Sequence, residues 1–186
     1  MAELAGVTKR LPLAEIDQLV DLLHEARLAG RQVFLLGNGG SAATASHFAC
    51  DLGKNTIADG IPSFRAISLT DNAALMTAWA NDTAYDNLFW GQLQCLLQPG
   101  DLVIGISGSG NSPNVLRAAE MSRAAGATTV GITGFAGGRL KDLVDLAIVV
   151  PCNCMEQVED LHLIIEHAIV TALRARARRG TAHESV

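Results

Sequence analysis

Five short apolar runs divide this chain of 186 residues. They are "QVFLLG" from Gln32, "SFRAISL" from Ser63, "DLVIGIS" from Asp101, "TTVGITG" from Thr128 and "LAIVVP" from Leu146. Each is short, mostly apolar and followed by small or polar residues, the pattern of strands in a buried parallel sheet. Between and around them, "LAEIDQLVDLLHEARLAG", "DNAALMTAWAN", "AYDNLFWGQLQCLLQ", "NVLRAAEMSRAAG" and "MEQVEDLHLIIEHAIVTALRARARR" read as amphipathic or mostly buried helices. The alternation predicts an α/β protein, a parallel sheet with helices on both faces. An aromatic content of 4% suits that architecture better than a sandwich of aromatic-rich strands. No linker rich in proline, serine or charge interrupts it, and the Gly-Ile-Pro segment after Asp59 reads as a loop. The expectation is one domain over residues 1–186, with a first helix near 12–30, the sheet within 31–151 and a last helix near 155–179.

Composition excludes some partners. A net charge of -5 argues against a nucleic-acid surface. The arginines at 174, 176, 178 and 179 read as a solvated helix terminus that complements its own dipole. Cys50, Cys95, Cys152 and Cys154 form no C-x-x-C pair, so reduced thiols in a cytosol are expected, and the C-x-C at 152–154 does not by itself define a metal site. No apolar run reaches the roughly 18 residues of a membrane span. A soluble, cytoplasmic protein is expected.

Two loops at strand ends stand out. Gly37–Ser41, in "LLGNGGSAATASHF", has three glycines and a serine between strand and helix. Backbone N–H groups there can turn toward an anion without a Cβ in the way. "GISGSGNSPN" places Ser107, Ser109 and Ser112 around Gly108 and Gly110. Hydroxyls and helix N–H groups can hold a phosphate dianion without a cationic side chain. Neither loop has the lysine of a nucleotide P-loop. Gly37-x-Gly39-x-x-Ala42 fits a loose dinucleotide fingerprint, but no acidic residue ends the second strand, and Asp71 reads as a helix cap. Both loops also fit plain tight turns and helix caps.

Acid–base candidates lie on two helices. His47 and Asp51 are four residues apart, on one helix face. Glu159 and His167 are eight apart, about 80° from a common line, and share a broad face. Two imidazoles and two carboxylates can bind a divalent transition metal or transfer protons, and the same residues also fit surface positions. His162 points elsewhere and reads as a packing or interface residue, while His24 and His183 read as solvated. Asn81-Asp82 can present an amide and a carboxylate to sugar hydroxyls, or cap helix ends.

"GNGGSAATASHFACDL", "AWANDTAYDNLF", "PGDLVIGISGSGNSPNVLRAA", "GITGFAGGRL" and "QVEDLHLIIEHAI" resemble, in order and across nearly the whole chain, the SIS (sugar isomerase) domain proteins of the phosphoheptose isomerase family. The resemblance implies a flavodoxin-like, three-layer αβα sandwich on a five-stranded parallel sheet. It implies a homo-oligomer, a tetramer in preference to a dimer, with active sites where subunits meet. The implied reaction converts sedoheptulose 7-phosphate into D-glycero-D-manno-heptose 7-phosphate through a cis-enediol.

By position, Asn38, Gly39, Gly40 and Ser41 match the substrate loop of the family. Ser107, Gly108, Ser109 and Ser112 match its phosphate loop, and Asn81 and Asp82 its sugar contacts. His47, Asp51, Glu159 and His167 fall on the positions for Zn²⁺ or another divalent metal, with Asp51 and Glu159 also facing substrate. Asp51 and His167 match the catalytic pair. Three departures are visible: Asp51 stands where the family has Glu, Glu159 where it has Gln, and Gly108 where Thr is common. The stretch before the first glycine loop is short for the family, which leaves the oligomer open. Other SIS proteins keep both loops and act as sugar-phosphate sensors, or bind a replication-initiation protein without catalysing; retention of the acid–base set favours an enzyme, with an isomerase of another sugar phosphate as the further alternative.

Overall fold

A computed structural model describes the backbone of residues 2–183 and the side chains of residues 3–178. The side chains of Arg179 and His183, read above as solvated, lie outside the described residues. Five strands form where the apolar runs predict them: β1 (Gln32–Gly37), β2 (Arg65–Ser68), β3 (Leu102–Ser107), β4 (Thr128–Thr133) and β5 (Leu146–Val149). Every pairing is parallel, and the order is β2-β1-β3-β4-β5. This is the flavodoxin-like order.

Side-chain alternation along the strands builds two cores. Val33 and Leu35 of β1 enter one, with residues of α2 (Leu13–Leu28), α3 (Gly40–Cys50) and α8 (Met155–His183). Phe34 and Leu36 enter the other, with residues of α5 (Leu88–Leu96), α6 (Pro113–Ala124) and the short α7 (Leu140–Leu143). Strands buried on both faces need apolar residues at odd and even positions alike, hence their continuous runs. Full burial of each Leu, Ile or Val stabilises by roughly 1.5–3 kcal/mol.

The structure adds elements that periodicity does not reveal. A helix α1 (Ala2–Thr8) precedes α2 and places Val7 in the first core, although "AELAGVT" is too short to show a helical period. The last helix continues past 179 to His183. A single 3-10 turn, Tyr85–Asn87, leads into α5. The helix α4 (Ala73–Asp82) is capped by Asn72, whose Oδ1 accepts the Leu75 N–H at 3.0 Å. Asp71, expected as that cap, accepts the Ser46 hydroxyl instead at 2.5 Å.

Other expectations resolve at the level of single contacts. The four cysteines are free thiols. Arg176 pairs with Asp21 at 2.5 Å. His24 is half-buried with Nδ1 at 3.0 Å from Arg27 Nη2, so it is not simply solvated. Among the described residues no helix is long and apolar enough to cross a membrane.

Adjacent strands β1 and β3 send their chains to opposite faces, into α3 and α6 respectively. That divergence opens a crevice at their carboxyl ends, between the two loops singled out above. The segment after β4 braces the second loop. Gly134 N–H donates to Gly108 O at 2.9 Å, and Leu140 N–H donates to Gly110 O at 2.9 Å. Arg139 N–H donates to Asn111 Oδ1 at 3.1 Å. Gly110 (φ +66°) and Gly138 (φ +57°) lie against each other in left-handed conformations. A Cβ on Gly110 would fall 2.0 Å from Gly137 O, and one on Gly138 would fall 2.4 Å from Ser109 O.

Two predictions follow from this packing. Replacing Gly138 by Ala adds both left-handed strain and an overlap with backbone, so stability should drop by about 2–4 kcal/mol in urea denaturation. A loss under about 0.5 kcal/mol would show that the two loops separate freely. The second concerns His162, the packing residue of α8, which is buried. Desolvation holds its pKa below the usual imidazole value, opposed in part by the Thr133 backbone. Acid therefore protonates the unfolded chain before the folded one. The His162 contribution is complete above about pH 6.5 and is lost as pH falls below that value. Exchanging His162 for Leu should flatten the decline of stability below about pH 6.5 by up to about 1.4 kcal/mol per pH unit; equal slopes in the two proteins would mean that folding does not perturb this ring.

Candidate functional site

The serine loop follows β3 directly. Ser107 is buried, and its hydroxyl lies 3.1 Å from that of Ser112. Ser112 precedes α6 but makes no side-chain cap, and Pro113, first in the helix, has no N–H. The Ser112 carbonyl accepts the N–H groups of Val115 and Leu116 at 3.0 Å, and Asn114 Oδ1 also accepts that of Val115 at 3.0 Å, which leaves the Asn114 N–H as the first-turn amide for a ligand. Ser109 Oγ accepts the Asn111 N–H at 3.2 Å, which shapes the turn. Gly108 is explained by its neighbour: a Cβ there would fall 2.4 Å from Met155 Sδ at the start of α8. The methionine sulfur takes the space in which a threonine would stand.

The glycine loop follows β1. Gly39 has φ +54° and Gly40 opens α3, with Ser41 buried behind it. The Asn38 side chain is turned into the protein. Its Nδ2 donates to Asn114 Oδ1 at 2.9 Å, and its Oδ1 accepts from Asn114 Nδ2 at 2.8 Å and from Tyr85 Oη at 3.0 Å. This reciprocal amide pair ties one loop to the other, so at Asn38 it is the backbone that remains for a ligand. Asn81 and Asp82 end α4 in exposed positions, three to four residues before Tyr85, with Asn81 Nδ2 donating to Asp82 Oδ1 at 2.8 Å.

The acid–base residues meet where the end of α3 crosses α8. His47 Nε2 is 3.8 Å from Asp51 Oδ1, and the His47 and His167 rings stack edge-on with centroids 5.0 Å apart. Asp51 begins a single π-helical turn, Asp51–Asn55, and its Oδ1 accepts the Asn55 amide at 2.6 Å. Such widened turns recur at functional sites. The imidazoles are about half exposed, 45% for His47 and 50% for His167, while Asp51 is buried beneath them.

The fourth member of this cluster differs from expectation. His47, Asp51, Glu166 and His167 each bring a donor atom within 4.8 Å of the others, and Glu159 is not among them. Glu159 lies instead against the amino end of α3, where a Cβ on Gly40 would fall 2.6 Å from its Oε1. A carboxylate there is favoured by the helix dipole. Glu166 is fully buried, with Oε2 at 3.3 Å from His167 Nε2. Burial first, then the Asp51 charge and a hydrogen bond shared with Asp51, push its carboxyl up to about 8. Two carboxylates share a hydrogen bond only when one is protonated; ionised, both Glu166 oxygens lack a partner.

Sequence reasoning passed over Glu166, Asn55, Asn114, Tyr85 and the bracing glycines. A signal for Glu166 is present. Val158, Leu161, Ile165, Ile169 and Leu173 are the buried stripe of α8, and Glu166 falls on it one turn after His162. A carboxylate on an apolar stripe is rare without a partner or a task.

The chemistry of the site is matched by kinship. A family model described as SIS domain matches residues 2–134. The phosphoheptose isomerase of Aliarcobacter butzleri is 44% identical over 142 residues, covering 75% of this chain and 74% of that protein. That of Mycobacterium bovis is 44% identical over 160 residues, covering 86% and 81%. Among solved structures, the phosphoheptose isomerase of Neisseria gonorrhoeae superposes with a TM-score of 0.86 at 27% identity, covering 94% of each chain. With its sheet order, paired loops and acid–base cluster in place, the chain belongs to the SIS-domain family of phosphoheptose isomerases.

Proposed function

We propose that this protein isomerises sedoheptulose 7-phosphate to D-glycero-D-manno-heptose 7-phosphate. The observation that carries the reading is the convergence of His47, Asp51 and His167 on α3 and α8, when α3 itself starts from the glycine loop. His47 lies seven residues beyond Gly40, about 10 Å along the axis at 1.5 Å per residue. That separation lets sugar oxygens lie along α3 between the glycine loop and the acid–base residues.

In this reading the hydroxyls of Ser107, Ser109 and Ser112, the Gly108 backbone and the first turn of α6 hold the phosphate. Backbone groups of Asn38, Gly39 and Gly40, with Ser41, Asn81, Asp82 and Glu159, address the sugar oxygens. Asp51 takes the proton from the carbon next to the carbonyl and returns it to the neighbouring carbon. His167 moves the hydroxyl proton, so that ketose and aldose interconvert through a cis-enediol without an external oxidant. The Asn55 amide holds Asp51 Oδ1 in place.

Two imidazoles and acidic oxygens within 4.8 Å also fit a divalent ion such as Zn²⁺, held by His47, Asp51 and His167. When bound, it would polarise the substrate oxygens. A pure sugar-phosphate sensor needs the loops but not this set, and that reading is not favoured.

We read the protein further as a single-domain, cytoplasmic chain that assembles into a homo-oligomer, a tetramer in preference to a dimer. The apolar helix α4 supports this, since none of its residues is buried and Leu75 is exposed. The open side of His47 and His167 leaves room for a second subunit at the site.

Incubation with sedoheptulose 7-phosphate in D₂O, followed by NMR, tests the reaction. Deuterium should enter at the carbon next to the carbonyl as the aldose appears, and Asp51→Asn should slow both by about 10²–10⁴-fold. Phosphate-dependent binding with neither exchange nor aldose would remove the isomerase reading.

A further inference from the structure

We propose that Tyr85 and Asn114 are positioning residues for the sugar end of the site. Their side chains act through Asn38 to hold the glycine loop and the Asn81–Asp82 end of α4 in fixed relation to the serine loop. The inference rests on the isomerase reading of the preceding section and adds two side chains to which that reading gives no part.

A chain of hydrogen bonds fixes the direction of every group in it. The Val115 N–H can only donate, so Asn114 turns its Oδ1 toward it, at 3.0 Å. Asn114 Nδ2 is then left to donate to Asn38 Oδ1 at 2.8 Å, while Asn38 Nδ2 donates back to Asn114 Oδ1 at 2.9 Å. Tyr85 Oη donates to the remaining lone pair of Asn38 Oδ1 at 3.0 Å. Each amide oxygen thus accepts twice, and neither side chain can flip without setting N–H against N–H. Asn114 is 1% exposed, so water cannot take over its bonds. The network starts on the backbone of α6 and ends on the 3-10 turn after α4.

The end of α4 depends on such a tether. None of the residues of α4 is buried, and Trp79, near its middle, rests against Gly91 and Trp90. Thr83 closes the helix by donating its N–H and its hydroxyl to Trp79 O at 3.2 and 2.7 Å. Only Thr83 and Ala84 separate Asp82 from Tyr85, a reach of at most about 11 Å. Where Tyr85 is held, Asn81 and Asp82 are held with it. The acid–base residues are fixed elsewhere, where α3 crosses α8, with Asn55 restraining Asp51. Loss of the network should therefore weaken the grip on the sugar more than it slows proton transfer.

Calorimetry of the full chain with two probes, inorganic phosphate and sedoheptulose 7-phosphate, separates the two ends of the site. Phosphate reports the serine loop, and the ratio of the sugar-phosphate Kd to the phosphate Kd reports the sugar end. All proteins are compared well below their melting temperatures. Tyr85→Phe removes one hydroxyl from a residue that is 55% exposed, and should raise the ratio about 3–10-fold, the loss of one hydrogen bond. Asn114→Ala should raise it at least as far; if that variant fails to fold, Tyr85→Phe still decides. With Asn38→Ala already in place, Tyr85→Phe should change the ratio by less than about twofold, because its route to the sugar is gone. In turnover, KM should rise by the same factor as the ratio while kcat changes less than about threefold. A lowered melting temperature with an unchanged ratio in Tyr85→Phe marks a merely structural role and overturns the inference. So does an undiminished effect of Tyr85→Phe without Asn38, the mark of a direct contact, or an equal loss of both probes. If the unaltered protein binds the two probes alike, no sugar end exists to be positioned and the inference falls with the substrate reading. Discrimination between the probes without formation of the aldose counts against the isomerase reading alone, and the ratios then still decide the roles of Tyr85 and Asn114.

Discussion

Two hydrogen-bonded strands, β1 and β3, end side by side and part to opposite faces of the sheet. The ligand-facing features depend on that parting. The strands' own ends leave a cleft that no side chain of the sheet closes. What spans it is the pairing of Asn38 with Asn114, two reciprocal amide hydrogen bonds at 2.9 and 2.8 Å. Each bond is worth only about 1 kcal/mol net. Their value is directional, because two bonds between planar amides set both the distance and the tilt between the glycine loop and the serine loop.

The central strands β1, β3 and β4 were legible in the sequence because burial on both faces leaves an unbroken apolar signature, whereas β2, at the sheet edge with Arg65 and Ile67 exposed, was legible from its short run between loops; the helices were legible because their partners lie on one side only. What escaped was contact between elements. Asp71 has the chemistry of a cap, yet Ser46 on α3 claims it, and the neighbouring Asn72 takes the role. Glu159 stands at the spacing of a ligand on an ideal helix, but the adjacent Gly40 draws its carboxylate to the start of α3. Glu166 is next to His167 in sequence, where helical geometry separates side chains by about 100°. Only the crossing of α8 over the end of α3 lets both reach one point. A linear pattern records the residues on each helix and is silent about the angle at which the helices meet.

Asp51 shows how such a centre is tolerated. It is one methylene shorter than the usual glutamate of its family, and it stands where α-helical spacing gives way to a π turn. The widened turn carries Asn55, whose amide restrains the carboxylate, and Leu52, which is fully buried in the first core. Local backbone irregularity is therefore offset by apolar packing within the same five residues. A shorter acid in a well-supported turn is held in place from below by Asn55 and flanked by Glu166, while the histidines above stay open.

The interlock of Gly110 with Gly138 also limits how this scaffold can diversify. Surface connections ordinarily accept extra residues at small entropic cost. Here the two loops meet backbone to backbone, and the segment after β4 donates two N–H groups to serine-loop carbonyls at 2.9 Å, so an insertion in either one would shift the other out of register. Their lengths are coupled. New specificity in such an architecture would have to arise at other borders of the cleft, such as the exposed end of α4 at Asn81 and Asp82, before Tyr85 ties the chain back to Asn38.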